Sequence, residues 1–143
     1  MKDCLFCQFT RKPPEQGFVY EDDNFVAFLD ICQLTKGHTL VIPKKHYRWV
    51  WDLPSEALAK EDVPNIGQYF QVCQKVANRM QEIYQVEQIY TLTMGSMIPH
   101  AHIHLIPKTK GNWHKALSTI WQFQENRADF QKLKETTKRL KFA

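Results

Sequence analysis

Residues 99–107 read Pro-His-Ala-His-Ile-His-Leu-Ile-Pro. In a β-strand, side chains two residues apart share a face. His100, His102 and His104 then stand together, while Ala101, Ile103 and Leu105 form an apolar face that can enter a core. The stretch predicts a strand over 100–106 with one structural and one chemical face. Three of the chain's six histidines fall at strict alternation here, a pattern that a half-exposed strand explains poorly. From the residues alone, two chemistries stay open. Imidazoles on one face can bind a metal. Alternatively, one neutral imidazole is a nucleophile that its neighbours orient, and phosphorus is an electrophile it can attack at neutral pH.

Upstream lies a second strand, residues 88–93, preceded by the one long periodic segment, Ile66–Tyr84. Its apolar residues recur at spacings of three and four, as in an amphipathic helix with a single buried stripe. Asn65 stands where an N-cap would. Residues 55–59 suggest a brief helical turn with Ser55 as its cap. Towards the N-terminus, Phe18–Tyr20, Phe25–Leu29 and His38–Ile42 are short apolar runs separated by turn-forming residues, and Pro43 ends the last of them. One long helix is too few crossovers for a doubly wound parallel sheet. The pattern predicts an α+β chain: about five antiparallel strands, one long helix and a helical C-terminal tail over 126–141.

The chain has 143 residues, 43% hydrophobic and 24% charged. That suits one domain with its own core and excludes disordered or collagen-like chains. No apolar run reaches the ~18 residues of a membrane span, and the opening MKDCLFCQF lacks the features of a secretory signal. A cytoplasmic protein without membrane contact is expected. Residues 1–107 hold 10 Lys and Arg against 12 Asp and Glu, whereas residues 108–143 hold 9 against 3. This basic extension reads as a solvated helix face carrying Lys132, Lys134, Lys138, Arg139 and Lys141, and nucleic-acid binding is not expected. Trp113, Trp121 and Phe123 read as satellite core. Cys4 and Cys7 form a C-x-x-C pair, which in a chain without a disulfide framework suggests metal or redox chemistry. Cys32 and Cys73 read as small buried residues.

Four blocks, in order, resemble the histidine triad (HIT) family. PHAHIHLIP is similar to the triad itself, and GHTLVIPKKH at 37–46 to the family's second block. VYEDDNFVAFLDI at 19–31 resembles its acidic-aromatic stretch, and CLFC at 4–7 the start of its zinc-bearing members. The resemblance covers residues 4–107 and implies one HIT domain over 1–143, with 108–143 as an extension. It implies an enzyme acting at the α-phosphate of nucleoside phosphoramidates or dinucleoside polyphosphates. A covalent nucleotidyl-histidine would form and release a nucleoside monophosphate.

Residue by residue, the resemblance implies His102 as the nucleophile, its other ring nitrogen donating to a backbone carbonyl, with His104 near the phosphate and His38 in support. Asp30 would accept from the ribose hydroxyls, as a carboxylate can from a vicinal diol. Phe6, Phe28 and Ile31 would hold the base, with Leu29 outside the pocket. Cys4, Cys7, His46 and His100 would hold a structural zinc, a four-ligand N/S set of the tetrahedral kind. A homodimer is implied as well. Two positions depart from the family. Ser96 stands where Gln is common, and no Asn precedes it. Lys108 replaces a frequent Arg and loses the bidentate fork. These departures motivate an alternative expectation, a nucleotide-binding sensor with little catalysis.

Overall fold

Two apolar runs, Phe25–Leu29 and Thr39–Pro43, pair antiparallel at the centre of the sheet, with Ala27 opposite Val41. The computed structural model describes residues 4–55, 63–109, 131 and 139–141. Its strands are β1 (Tyr20–Glu21), β2 (Phe25–Leu29), β3 (Thr39–Pro43), β4 (Ile89–Thr93) and β5 (Ile103–Pro107). They form one antiparallel sheet in the order β1-β2-β3-β5-β4. Among the described residues of the sheet-bearing unit, helices α1 (Leu5–Phe9) and α2 (Ile66–Tyr84) and a 3-10 turn at Val50–Asp52 accompany the strands. The α+β architecture expected from the residue pattern is therefore observed, with its five strands and one long helix.

The turn into β2 is closed by Asp22, whose Oδ1 accepts from the N–H groups of Asn24 and Phe25 at 2.9 and 2.7 Å. This is the local chemistry that makes Asp a turn residue. Helix α2 begins at a reciprocal cap: Asn65 Oδ1 accepts from Gln68 N–H at 2.8 Å, and Gln68 Oε1 from Asn65 N–H at 3.2 Å. Two orphan donors of the first turn are thereby satisfied. The helix ends at Gln85, which takes the left-handed conformation (φ 51°).

Alternation divides the sheet into two apolar layers. Phe25, Ala27, Val41, Ala101, Ile103 and Leu105 meet the α2 stripe Tyr69, Val72, Cys73, Val76 and Met80. Tyr69 stacks on Phe25 with ring centroids 5.1 Å apart and donates its hydroxyl to the Val41 carbonyl at 2.6 Å. A buried phenol needs such a partner. On the other face, Val26, Phe28, Leu40 and Ile42 pack beneath Phe6 of α1. Emptying a site such as Phe28 would cost about 3–5 kcal/mol.

Several boundaries differ from the expected ones. The first strand is Tyr20–Glu21 rather than Phe18–Tyr20, because the Asp22 turn fixes where pairing with β2 can start. Pro43 closes β3 rather than following it; it needs no N–H at the strand end. The triad strand starts at Ile103, not His100. The Ala101 N–H donates to the Tyr47 carbonyl at 2.7 Å, outside the ladder. The alternation nevertheless continues through residues 100–102, with Ala101 in the α2 core. Helix α1 and the 3-10 turn carry no periodic signal and were not expected. Cys32 is exposed, correcting the buried reading, whereas Cys73 is buried. Cys32 sits in the Asp30–Gly37 loop, where no element covers it.

The chain divides into two units, 1–111 and 112–143. In the second, Gln131, Arg139 and Leu140 are helical. The turn at 56–59, Trp113, Trp121, Phe123 and most of the basic tail lie outside the described residues. Among the described residues, no helix is long and apolar enough to cross a membrane.

Candidate active site

The segment 98–104 hands its three imidazoles to three different environments. His100 is fully buried and donates from Nε2 to the Pro43 carbonyl at 2.9 Å. That leaves Nδ1 as its lone-pair nitrogen, facing Cys4 Sγ at 3.4 Å and Cys7 Sγ at 3.5 Å. His46 Nδ1 lies 3.2 Å from Cys7 Sγ. Ligands at the zinc distances of 2.0–2.3 Å and a tetrahedral angle stand roughly 3.3–3.8 Å apart. The ligand atoms of Cys4, Cys7, His46 and His100 all lie within 4.8 Å of one another. The carbonyl behind His100 is the kind of partner that fixes a metal-binding imidazole. The cluster can hold a metal ion of this type. Helix α1 supplies Cys7, Cys4 caps it, and His46 follows β3, so the cluster joins three parts of the chain.

Without a metal, the Cys7 thiol is a poor anion. Burial pushes the Cys7 thiol up to about 11, with the hydrogen bond and charge of Cys4 adding to the effect. Burial also lowers His100 to about 4, against the Pro43 carbonyl, which favours the charged form. A cation would reverse the first tendency and use the second, because it needs thiolates and neutral imidazoles.

His102 donates from Nδ1 to the His100 carbonyl at 2.7 Å. This bond sets the tautomer and leaves the Nε2 lone pair for other chemistry. The ring stands edge-on to Phe6, with centroids 5.3 Å apart, and 5.0 Å from the ring of His104.

His104 pairs with His38, across β5 and the start of β3, at 2.9 Å between His104 Nδ1 and His38 Nε2. The Leu34 N–H points at His38 Nδ1 at 3.4 Å. That makes Nδ1 the acceptor and Nε2–H the donor to His104. By the same bookkeeping, His104 carries its own proton on Nε2. This nitrogen is buried and has no hydrogen-bond partner among the described residues. A buried unpaired donor costs roughly 1–3 kcal/mol, which a bound acceptor would remove. Asp30 Oδ2 lies 3.7 Å from His38 Nε2 and 3.9 Å from His104 Nδ1. Burial lowers His104 to about 4, reinforced by His102 and His38 and opposed by Asp30. His38 is lowered too, again mainly by burial. Both rings are neutral at pH 7.

His102 and His104 line a cavity of about 340 Å³, within the usual range for small-molecule sites. Its other walls include Phe6, Phe28, Asp30, Ile31 and Ser96. The cavity thus gathers His102, His104, Phe6, Phe28, Asp30, Ile31 and Ser96, whereas His38 stands behind His104 and does not line it. Their exposure differs: Phe6 and Phe28 are buried, Ile31 is 87% exposed at the rim, and Ser96 is exposed. Leu29, expected outside, lines the cavity, as do Phe9, Leu40, Met94 and Ile98. Phe9 lies one turn after Phe6 in α1, a helix too short for that spacing to register as a period in the sequence. Met94 and Ile98 enter only through the loop before the triad, which carries no readable period.

A conformational detail holds His38 in place. Gly37 has φ 94° and lies against the Tyr84 ring at the end of α2, where an added Cβ would collide with the aromatic carbons. A positive φ and a ring at van der Waals contact both select glycine.

The comparisons with known proteins agree with this geometry. The model of the HIT domain matches residues 12–111. The protein hit of Bacillus subtilis is 38% identical over 112 residues, covering 75% of this chain and 72% of that protein. Adenosine 5′-monophosphoramidase of Saccharomyces cerevisiae is 31% identical over 138 residues, covering 96% and 80%. A solved structure of a HIT family member from Bacillus subtilis matches with a TM-score of 0.68 at 29% identity, covering 99% of each chain. With the alternating histidines, the sheet order and these matches in agreement, the chain belongs to the HIT family.

Proposed function

We propose that the protein is a nucleotide hydrolase or nucleotidyl transferase that uses His102 as its nucleophile. The observation that carries this reading is the His102 Nδ1–H bond to the His100 carbonyl, beside a cavity that His104 also lines. A ring nitrogen with a fixed lone pair and a neighbouring buried donor suits attack on a phosphorus atom. Nε2 of His102 forms a bond to the α-phosphorus, and the bond to the leaving group breaks. The leaving group takes a proton from solvent. Water then cleaves the nucleotidyl-histidine and releases a nucleoside monophosphate. His104 donates to a phosphate oxygen, which stabilises developing charge in a dry site. Asp30 accepts from the ribose hydroxyls, and Phe6, Phe28 and Ile31 flank the base. Ser96 reaches a phosphate oxygen. The relative in S. cerevisiae named adenosine 5′-monophosphoramidase supports a phosphoramidate substrate, and a dinucleoside polyphosphate offers the same α-phosphorus.

Cys4, Cys7, His46 and His100 hold a structural zinc, which supplies a cross-link rather than reactivity. The same reading has the protein working as a homodimer in the cytoplasm, where reduced thiols are available to a metal. The experiment is incubation with adenosine 5′-phosphoramidate or diadenosine polyphosphate, with chromatographic detection of adenosine monophosphate. Release by the native protein and none by His102→Ala is expected. Nucleotide binding by calorimetry without any turnover would favour the sensor reading instead.

A further inference from the structure

Asp30 and His38 stand at the two ends of the loop between β2 and β3. Asp30 lines the cavity, and His38 backs His104. A backbone bond joins these ends, from the Asp30 N–H to the His38 carbonyl at 2.9 Å. Such a bond fixes a distance but leaves the orientation of each end open. The side-chain amide of Gln33 supplies the remaining constraint. Its Oε1 accepts from the N–H groups of Gly37 and His38 at 2.8 and 3.1 Å. Its Nε2 donates to the carbonyls of Asp30 and His38 at 2.5 and 2.8 Å. We infer that Gln33 is a positioning residue, whose amide sets Asp30 and His38 in the register that the ribose and His104 require. This rests on the proposed hydrolase function.

The amide is fully used. It offers two donors and two acceptor lone pairs, and all four find backbone partners. Reversing it would set N–H against N–H and oxygen against carbonyl, so the network itself fixes its orientation. Gln33 is exposed, and a long polar side chain held still in water loses rotamer freedom. Four bonds converging on the two functional ends of the loop offset that loss. The middle of the loop has its own anchor: Thr35, buried, donates from Oγ1 to the Pro107 carbonyl at 2.7 Å. The clasp made by Gln33 therefore serves the ends.

Each end passes the constraint to a side chain. Asp30 Oδ1 accepts from the Cys32 N–H at 2.7 Å, and Oδ2 lies 3.7 Å from His38 Nε2 and 3.9 Å from His104 Nδ1. The carboxylate is thereby tied to its own backbone and moves with it. The His38 ring is carried by the same peptide groups that Gln33 holds, and its Nε2 meets His104 Nδ1 at 2.9 Å. Loosening the clasp displaces the ribose acceptor and the imidazole behind His104 together. Groups that act by position lose rate from small displacements.

The test compares adenosine 5′-phosphoramidate with its 2′-deoxy analogue. The native protein should prefer the ribose compound by about 10-fold in kcat/KM, the size of one hydrogen bond to a carboxylate. Gln33→Met keeps the length of the side chain without its four bonds, and Gln33→Ala removes both. Each should lower kcat/KM for the ribose compound about 10-fold, in KM through Asp30 and in kcat through His104, and bring the ratio down to about twofold. Lys36→Ala, at an exposed position of the same loop, should change neither. Thermal transitions by circular dichroism confirm that the variants fold. A ratio that stays native in both Gln33 variants, whatever their stability, makes Gln33 a structural loop residue and overturns the inference. Native behaviour of Gln33→Met alone assigns the effect to shape and overturns it equally. A native ratio of one overturns it too, while turnover leaves the hydrolase standing. Turnover of neither compound by the native protein removes the hydrolase reading, and the inference with it.

Discussion

His100 and His104 lie four residues apart on the same face of one chain segment, both buried, both lowered to about 4. Their partners separate them. His100 is held from behind by the Pro43 carbonyl and faces two thiols, so every nitrogen is committed within a closed cluster. His104 is held from behind by His38, lines the cavity, and carries a buried N–H without a partner among the described residues. Residue type and burial alone do not assign chemistry. What decides it is which nitrogen the rest of the fold has already used. His102, between them, combines both conditions: one nitrogen committed to a carbonyl, the other left for a substrate.

The contrast can be broken most severely at His102. Replacing it with Ala should reduce nucleotide turnover at least about 10³-fold, as removal of a covalent nucleophile does, with little change in the thermal transition. Steady-state kinetics and circular dichroism check the two halves of this outcome.

The closed cluster should answer in the opposite currency. The double substitution Cys4→Ser with Cys7→Ser should abolish metal binding and lower stability by on the order of 3 kcal/mol, since metal affinity is folding free energy. The protein that remains folded should keep turnover within about tenfold. Metal content by mass spectrometry, denaturant titration and kinetics decide it. Turnover lost in proportion to the metal, at unchanged stability, would make the metal catalytic and erase the distinction.

The open site should show a pH signature. His104 has a folded pKa of about 4 against an ordinary 6.5. A neutral buried imidazole contributes stability above 6.5 that is lost as pH falls towards 4, because the unfolded chain binds the proton first. The loss should be on the order of 2 kcal/mol. Urea midpoints measured across that window should fall less steeply with acid in His104→Gln than in the native protein. Parallel slopes would show that His104 does not carry the effect.

The smallest expected change concerns the support of His38. Gly37→Ala places a Cβ against Tyr84 at a positive φ and should cost about 1–2 kcal/mol. Because the strain sits one residue from His38, KM should rise as well. Stability loss with unaltered kinetics would uncouple this turn from the open site.

The parts of this arrangement that were legible in the sequence are those governed by local rules. The Ile66–Tyr84 stripe has a period of 3.6, and Asn65 carries the side chain that a cap requires. The alternation over 100–105 correctly separates His104 from Leu105, even though the ladder itself begins at Ile103. Its first three residues leave the ladder, where the Tyr47 carbonyl takes the Ala101 N–H, a contact 54 residues away in sequence that no local pattern encodes. Helix α1 has only five residues, too few for periodicity to register. The packing of Trp49 on Gly95 was illegible for a related reason: the insertion of β5 between β3 and β4 brings these two segments together. The thiols and the histidines were visible as a set of candidates. Which nitrogen each would commit was not, because that depends on carbonyls such as those of Pro43 and His100 arriving from the folded backbone.

The most direct test is to quench the protein within its first turnover on adenosine 5′-phosphoramidate and determine its mass and modified peptide. A nucleotidyl adduct on the 99–107 peptide, carried by His102, released by water and absent from His102→Ala, is the predicted result. Full release of adenosine monophosphate with no adduct at any time, and continued release by His102→Ala, would contradict the account.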